Sequence, residues 1–180
     1  LPPVPGAPIY LAAGVLLVVV TRSNGWPVQY GIAYSAGVSL VIKLVACTCQ
    51  QKLIGEPMRK SVFVRKTVGI NTPLIRTTRL VLAEPGLSIA KVALLVGGPD
   101  WPTSVLCGIL GLRLAPILVG TLPVWLLIWP TVLGGAFLVI SESYSQVLSA
   151  IFIGLAALVQ SGSLLIAAGY LYAVAVIRKV

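Results

Sequence analysis

Long apolar runs separated by short polar punctuation dominate this chain, and their lengths predict its elements. The first, beginning Val4-Pro5-Gly6-Ala7-Pro8-Ile9-Tyr10 and ending at Val20, is headed by proline and is short for the roughly 20 residues that a spanning helix needs. The pattern predicts a re-entrant or broken helix over residues 4–25. Arg22-Ser23-Asn24-Gly25-Trp26-Pro27 reads as a turn carrying an interfacial tryptophan. Residues 28–49 then supply a run long enough to cross. Residues 50–85 are basic and mixed, with Gly55-Glu56-Pro57 as a breaker and an amphipathic surface helix around Pro73 to Glu84. Apolar character resumes over 86–112 but is interrupted by Gly97-Gly98-Pro99-Asp100-Trp101-Pro102-Thr103-Ser104. A span marked by Pro123 and Pro130 follows over 114–140, then a polar turn from Ser141 to Gln146, and a last span over 147–177. No repeat of fixed period is apparent, although Pro/Gly-broken apolar segments occupy corresponding positions in the two halves.

Composition decides the solvent. The 180 residues are 58% hydrophobic and 9% charged, with a mean hydropathy of +1.02. That leaves too little polar surface to coat a soluble domain, whereas helices facing lipid need none. The expectation is a single membrane domain over residues 1–180. The chain opens at Leu1 rather than a methionine, which leaves room for a preceding helix or targeting peptide.

A net charge of +9 raises nucleic acid as a partner, but the placement of the charges argues against it. Seven of the thirteen Lys and Arg residues fall between Lys52 and Arg79, as in a cytoplasmic loop under the positive-inside rule, with anionic lipid headgroups as the natural counter-charge. If Lys91 and Arg113 prefer that same side, the two arms of 86–112 enter and leave by one face, as a re-entrant hairpin with Pro99 and Pro102 at its tip. Arg178 and Lys179 then also fall on the cytoplasmic-equivalent side. The fold class expected is an all-α integral membrane protein with about three transmembrane helices and two opposed re-entrant hairpins.

Candidate chemistry concentrates at the interruption. Asp100 is the sole carboxylate within the apolar body, and an ionisable group at membrane depth is a functional hypothesis by default. It could bind a cationic headgroup or exchange a proton, with Lys43 or Lys91 as ion-pair partner. It equally fits an N-cap on the second arm with proline in the first turn. Thr103 and Ser104 would add hydroxyl donors at a half-helix N-terminus suited to a phosphate, or would merely satisfy local carbonyls. Lys43 either pairs or snorkels to the interface. Arg76 and Arg79, three apart on the amphipathic segment, share a face that meets headgroups.

Enzymatic readings are poor. The chain has no histidine, which removes His-based triads and imidazole metal ligands. Cys47-Thr48-Cys49 lacks a second Cys or His pair, and Cys107 sits alone in an apolar arm as a small hydrophobe. The four acidic residues, Glu56, Glu84, Asp100 and Glu142, are scattered. Gly134, Gly135 and Gly162 read as close helix packing rather than a phosphate loop. No enzyme activity, cofactor, metal or nucleic acid is expected.

Two interrupted apolar segments are the pattern of a transporter built from broken helices. Three stretches carry a resemblance: Pro5-Gly6-Ala7-Pro8-Ile9-Tyr10-Leu11-Ala12-Ala13-Gly14; Gln50-Gln51-Lys52-Leu53-Ile54-Gly55; and Pro99-Asp100-Trp101-Pro102-Thr103-Ser104 with Gly108-Ile109-Leu110-Gly111-Leu112 and Gly120-Thr121-Leu122-Pro123. In these the chain resembles the VTT/DedA superfamily, also called SNARE-associated Golgi proteins. The resemblance implies two opposed re-entrant hairpins, formed here by Pro5, Gly6 and Pro8 and by Gly98, Pro99 and Pro102. It also implies a lipid transporter of scramblase or flippase type, handling phospholipid or, in bacterial relatives, polyprenyl phosphate in a groove between the hairpins. The chain departs from the family at Val96-Gly97-Gly98, where an Arg is usual, and at Ala7, where an acidic residue is usual; its Pro123 also comes early. Those departures support the alternative: a non-catalytic structural membrane subunit, with protein partners in a larger complex.

Overall fold

The computed structural model describes residues 6–84, 86–140 and 145–177. Pro5, most of the Ser141–Gln146 turn, Arg178 and Lys179 lie outside the described residues. Every regular element among the described residues is helical. The elements are α1 (Gly6–Ser23), α2 (Val28–Cys49), a π-helical turn (Gln50–Gly55), α3 (Glu56–Met58), α4 (Val62–Val68), α5 (Pro73–Ala83), α6 (Ile89–Gly97), α7 (Asp100–Ile109), α8 (Leu114–Thr121), a 3-10 turn (Leu122–Val124), α9 (Trp125–Val139) and α10 (Ser145–Ile177). Among the described residues, four helices are long and apolar enough to cross a membrane: Gly6–Ser23, Val28–Met58, Leu114–Val139 and Ser145–Ile177.

Two differences from the sequence reading have local causes. The first apolar segment has no internal break; α1 is continuous because Pro8 falls in its first turn, where the missing N–H has no partner to lose. The helix ends at a turn in which Gly25 takes φ +80° and Trp26 N–H donates to the Thr21 carbonyl at 3.0 Å. Gly55-Glu56-Pro57 does not break the chain either, and the helix begun at Val28 runs on to Met58. The wider π turn over Gln50–Gly55 shifts the hydrogen-bond register, and Pro57 then lands in the first turn of α3, where proline is tolerated.

Contacts group the chain into two compact units, each discontinuous in sequence. Among the described residues, one comprises those from Gly6 to Lys43 together with Pro123–Gln160. Its centre is α1 against α9, brought close by glycine: a Cβ on Gly14 would strike the backbone of Val132, and one on Gly135 would meet the Leu11 carbonyl oxygen and lie 3.2 Å from Gly14 Cα. In lipid, where apolar burial drives little association, such close approach is what holds helices together. The start of α10 joins α9 through Ser149, whose buried hydroxyl donates to the Gly134 carbonyl at 2.8 Å, and through Phe137 stacked on Phe152 at 5.7 Å. Ser149→Ala is expected to cost about 1 kcal/mol, read by thermal unfolding in detergent.

Among the described residues, the other unit comprises Leu44–Leu122 and those from Ser161 to Ile177. Here α7 lies on the π turn. A Cβ on Gly55 would stand 2.7 Å from Gly108 Cα, and one on Gly108 would stand 2.6 Å from Gly55 Cα. Cys47, Leu82, Leu95, Cys107 and Ile117 form the adjoining buried cluster, so Cys47 and Cys107 pack as small apolar side chains. The amphipathic segment is α5, with Thr77, Thr78, Val81 and Leu82 buried. The packing role expected for Gly162 is not seen, since no neighbouring atom lies within 4 Å of a Cβ built there.

Candidate functional site

The interruption of the third apolar run is a joint between two short helices. At 9 and 10 residues, α6 and α7 are each about 14–15 Å long, half the hydrocarbon thickness of about 30 Å. Ser88 starts α6 by accepting from Lys91 N–H at 3.3 Å. Gly98 N–H closes it on the Leu94 carbonyl at 3.0 Å, and Gly98 then turns extended while Pro99 withholds an N–H, so the helix stops. The adjacent Gly97 has a separate role, because a Cβ there would strike the backbone at Ser163 and Leu164 of α10.

The N-cap of α7 is Pro99, which offers no side-chain cap, and Asp100 is the first residue inside the helix. The N-cap role open to Asp100 in the sequence is therefore not the one it takes; as the acidic residue of the first turn it sits favourably against the positive end of the dipole. Asp100 is half-buried and engaged in an interaction. Thr103 N–H bonds the Pro99 carbonyl at 3.1 Å, and the Thr103 hydroxyl oxygen lies 3.0 Å from where a Cβ on Gly98 would stand.

Thr103 and Ser104 differ from the other buried hydroxyls. Thr21, Ser35, Ser39, Thr77, Thr121 and Thr131 each donate to the carbonyl one turn earlier, the ordinary fate of Ser and Thr in apolar helices. Thr103 and Ser104, 9% and 5% exposed, donate to no group among the described residues. Both stand near the start of α7.

Lys91 is fully buried and is not the ion-pair partner of Asp100: its Nζ donates to the Glu84 carbonyl at 3.0 Å, tying α6 to the C-terminal end of α5. Lys43 is 7% exposed and engaged in an interaction. Arg76 and Arg79 are exposed on α5. Gly6 and Pro8 lie in the first turn of α1, while Gly98, Pro99, Asp100, Pro102, Thr103 and Ser104 come together at the α6–α7 joint.

Two features escape a reading of the sequence alone. Gln51, at the edge of the basic region, is completely buried. Its Nε2 donates to the Leu112 carbonyl at 2.7 Å, holding the turn after α7, while its Oε1 accepts from nothing among the described residues. A spacing is also shared by the two halves: Pro5-x-x-Pro8 and Pro99-x-x-Pro102 are each followed, after the same interval, by the glycine of a backbone contact, Gly14 and Gly108. A search at fixed period passes over it because the segments between differ in length. No family model, curated protein or solved structure matches this chain, so its own residues carry the functional argument.

Proposed function

We propose that this chain is a multi-pass membrane lipid transporter of scramblase type, a divergent relative of the VTT/DedA superfamily, that engages phospholipid headgroups at the α6–α7 joint. In this reading α1 and the α6–α7 pair are re-entrant elements, and α2, α8–α9 and α10 cross the bilayer. The basic residues of 50–79 and the C-terminus lie on the cytoplasmic-equivalent side. The observation that carries the proposal is the pair of undonated hydroxyls of Thr103 and Ser104, beside an uncapped helix start that offers N–H groups to a phosphate. Asp100 adds the complementary charge for a headgroup amine. Neither α6 nor α7 can cross the membrane alone, which favours a joint at membrane depth.

Reconstitution in liposomes with labelled phospholipid tests this. Dithionite-accessible signal from the inner leaflet should rise above that of protein-free vesicles, and Asp100→Asn and the Thr103→Val/Ser104→Ala pair should each slow exchange about tenfold, the loss of one or two charge-assisted hydrogen bonds. A rate equal to empty vesicles removes the proposal.

The second reading, a structural subunit that keeps the fold, draws on Gly97. Where the family usually carries an Arg, this chain has Val96-Gly97-Gly98, and the Cβ position of Gly97 is filled by the α10 backbone. Protein partners would then be stoichiometric. A chain that purifies alone and monomeric in mild detergent is not such a subunit.

A further inference from the structure

At the turn between α7 and α8 the surface opens into a cleft of about 310 Å³, lined by Leu82, Ala83, Gly86, Gly111, Leu112, Arg113 and Pro116. Its walls are of two kinds. Leu82, Ala83, Leu112 and Pro116 make an apolar side continuous with the end of the amphipathic α5. Arg113 supplies charge from the lining itself, and the Arg59 guanidinium lies against Gly111, so close that a Cβ there would collide with it. Gly111 can hold this place because it takes φ +69°, a left-handed conformation that other residues resist. The backbone of the turn is anchored from beneath by the Gln51–Leu112 hydrogen bond.

Neither arginine has an ion-pair partner among the described residues; the pair formed nearby is Lys52 with Glu56. Glu84, next to Ala83, is outside the lining, and its carbonyl is occupied by Lys91. A cleft with one apolar wall, Arg113 in its lining and the Arg59 guanidinium against the lining residue Gly111 matches an anion that is attached to a hydrophobic tail. A free phosphate would gain nothing from Leu112 and Pro116, and a zwitterionic headgroup would bring a cation toward the arginines. Arginine suits the task because its planar fork grips phosphate oxygens in pairs, and basic pockets beside spanning helices are where anionic headgroups bind.

We propose that this cleft is a binding site for an anionic phospholipid, with the phosphoryl group between Arg59 and Arg113 and the glycerol and upper acyl chain along Leu112 and Pro116. It is separate from the α6–α7 joint and does not depend on transport there. The site retains one lipid at the edge of the protein.

Native mass spectrometry of the intact chain in neutral detergent, titrated with dioctanoyl phosphatidic acid or dioctanoyl phosphatidylcholine, tests the proposal. The acidic lipid should be retained at least about tenfold more tightly, and Arg113→Gln and Arg59→Gln should each lower that retention about tenfold, while Lys52→Gln leaves it unchanged. Gly111→Ala, which displaces the Arg59 guanidinium, should mimic Arg59→Gln. Should Arg113→Gln fail to fold, Arg59→Gln alone decides. Equal retention of the two lipids, unchanged retention in the folded Arg variants, or displacement of phosphatidic acid by equimolar inorganic phosphate would overturn it, the last by showing a free-anion site. Vesicle exchange that is absent while phosphatidic acid is retained would sink the transport reading and leave this site standing.

Discussion

Replacing Gly108 by alanine should destabilise the protein by about 1–3 kcal/mol, the usual cost of forcing a methyl group into filled space, although alanine is the better helix former by about 1 kcal/mol. The methyl group has nowhere to go: it would meet the Gln51 carbonyl oxygen and lie 2.6 Å from Gly55 Cα. Both are main-chain atoms, so no rotamer change relieves the collision. The π turn of Gln50–Gly55 and α7 must separate, and the buried Gln51–Leu112 bond is strained with them. Gly37 and Gly154 provide the opposite sign. Both are helical, with no neighbouring atom within 4 Å of a built Cβ, so alanine there should be neutral or stabilise by up to about 1 kcal/mol. Thermal unfolding of the wild type and the three variants in one detergent checks the prediction; equal shifts at Gly108 and Gly37 would show that the close contact contributes nothing. Gly14→Ala should behave like Gly108→Ala, because its Cβ strikes the Val132 backbone.

Lys91→Ala should be the most damaging single truncation at a charged position, costing about 2–5 kcal/mol, while Lys91→Met should cost about 1 kcal/mol or less. The side chain is wholly buried, and its methylenes pack against Gly120, with Cε 3.1 Å from a Cβ position there. Alanine would leave a cavity and deprive the Glu84 carbonyl of its donor. Methionine keeps nearly the same volume and removes a cation that is expensive to bury, so only the hydrogen bond is lost. Comparable unfolding midpoints for the two variants would mean that the aliphatic stem does not pack as described. Because Lys91 serves the α5–α6 connection rather than Asp100, Lys91→Met should also leave lipid exchange within about twofold of wild type, the scale of a weak, indirect coupling below 0.5 kcal/mol.

The α6–α7 joint is legible in the amino-acid sequence because glycine, two prolines and an aspartate inside an apolar run have few other readings. The amphipathic α5 is legible because its apolar and basic positions recur at helical spacing. Gly55-Glu56-Pro57 misleads, because local composition cannot show that Gly55 is present for a contact with Gly108, or that a π turn carries the helix past Pro57. Gln51 is hidden for the same reason: its partner, the Leu112 carbonyl, lies 61 residues away. The N-cap of α7 falls one residue from its expected place, the usual uncertainty at a helix end.

The amino-acid sequence by itself determined the solvent, the helical class and the places where helices must stop, because hydropathy, proline and glycine act within a few residues of themselves. Tertiary structure decided which buried polar groups bond within the chain and which do not. Thr103 and Ser104 look like any hydroxyls in apolar helices until six of the others are found donating to the turn beneath them and these two are not. Arg59 and Arg113 are only two members of a basic set until the turn at Gly111 is found with Arg113 beside it in the lining of a cleft and the Arg59 guanidinium against it. Such differences arise from where each segment is held by distant ones, and no local pattern of residues encodes them.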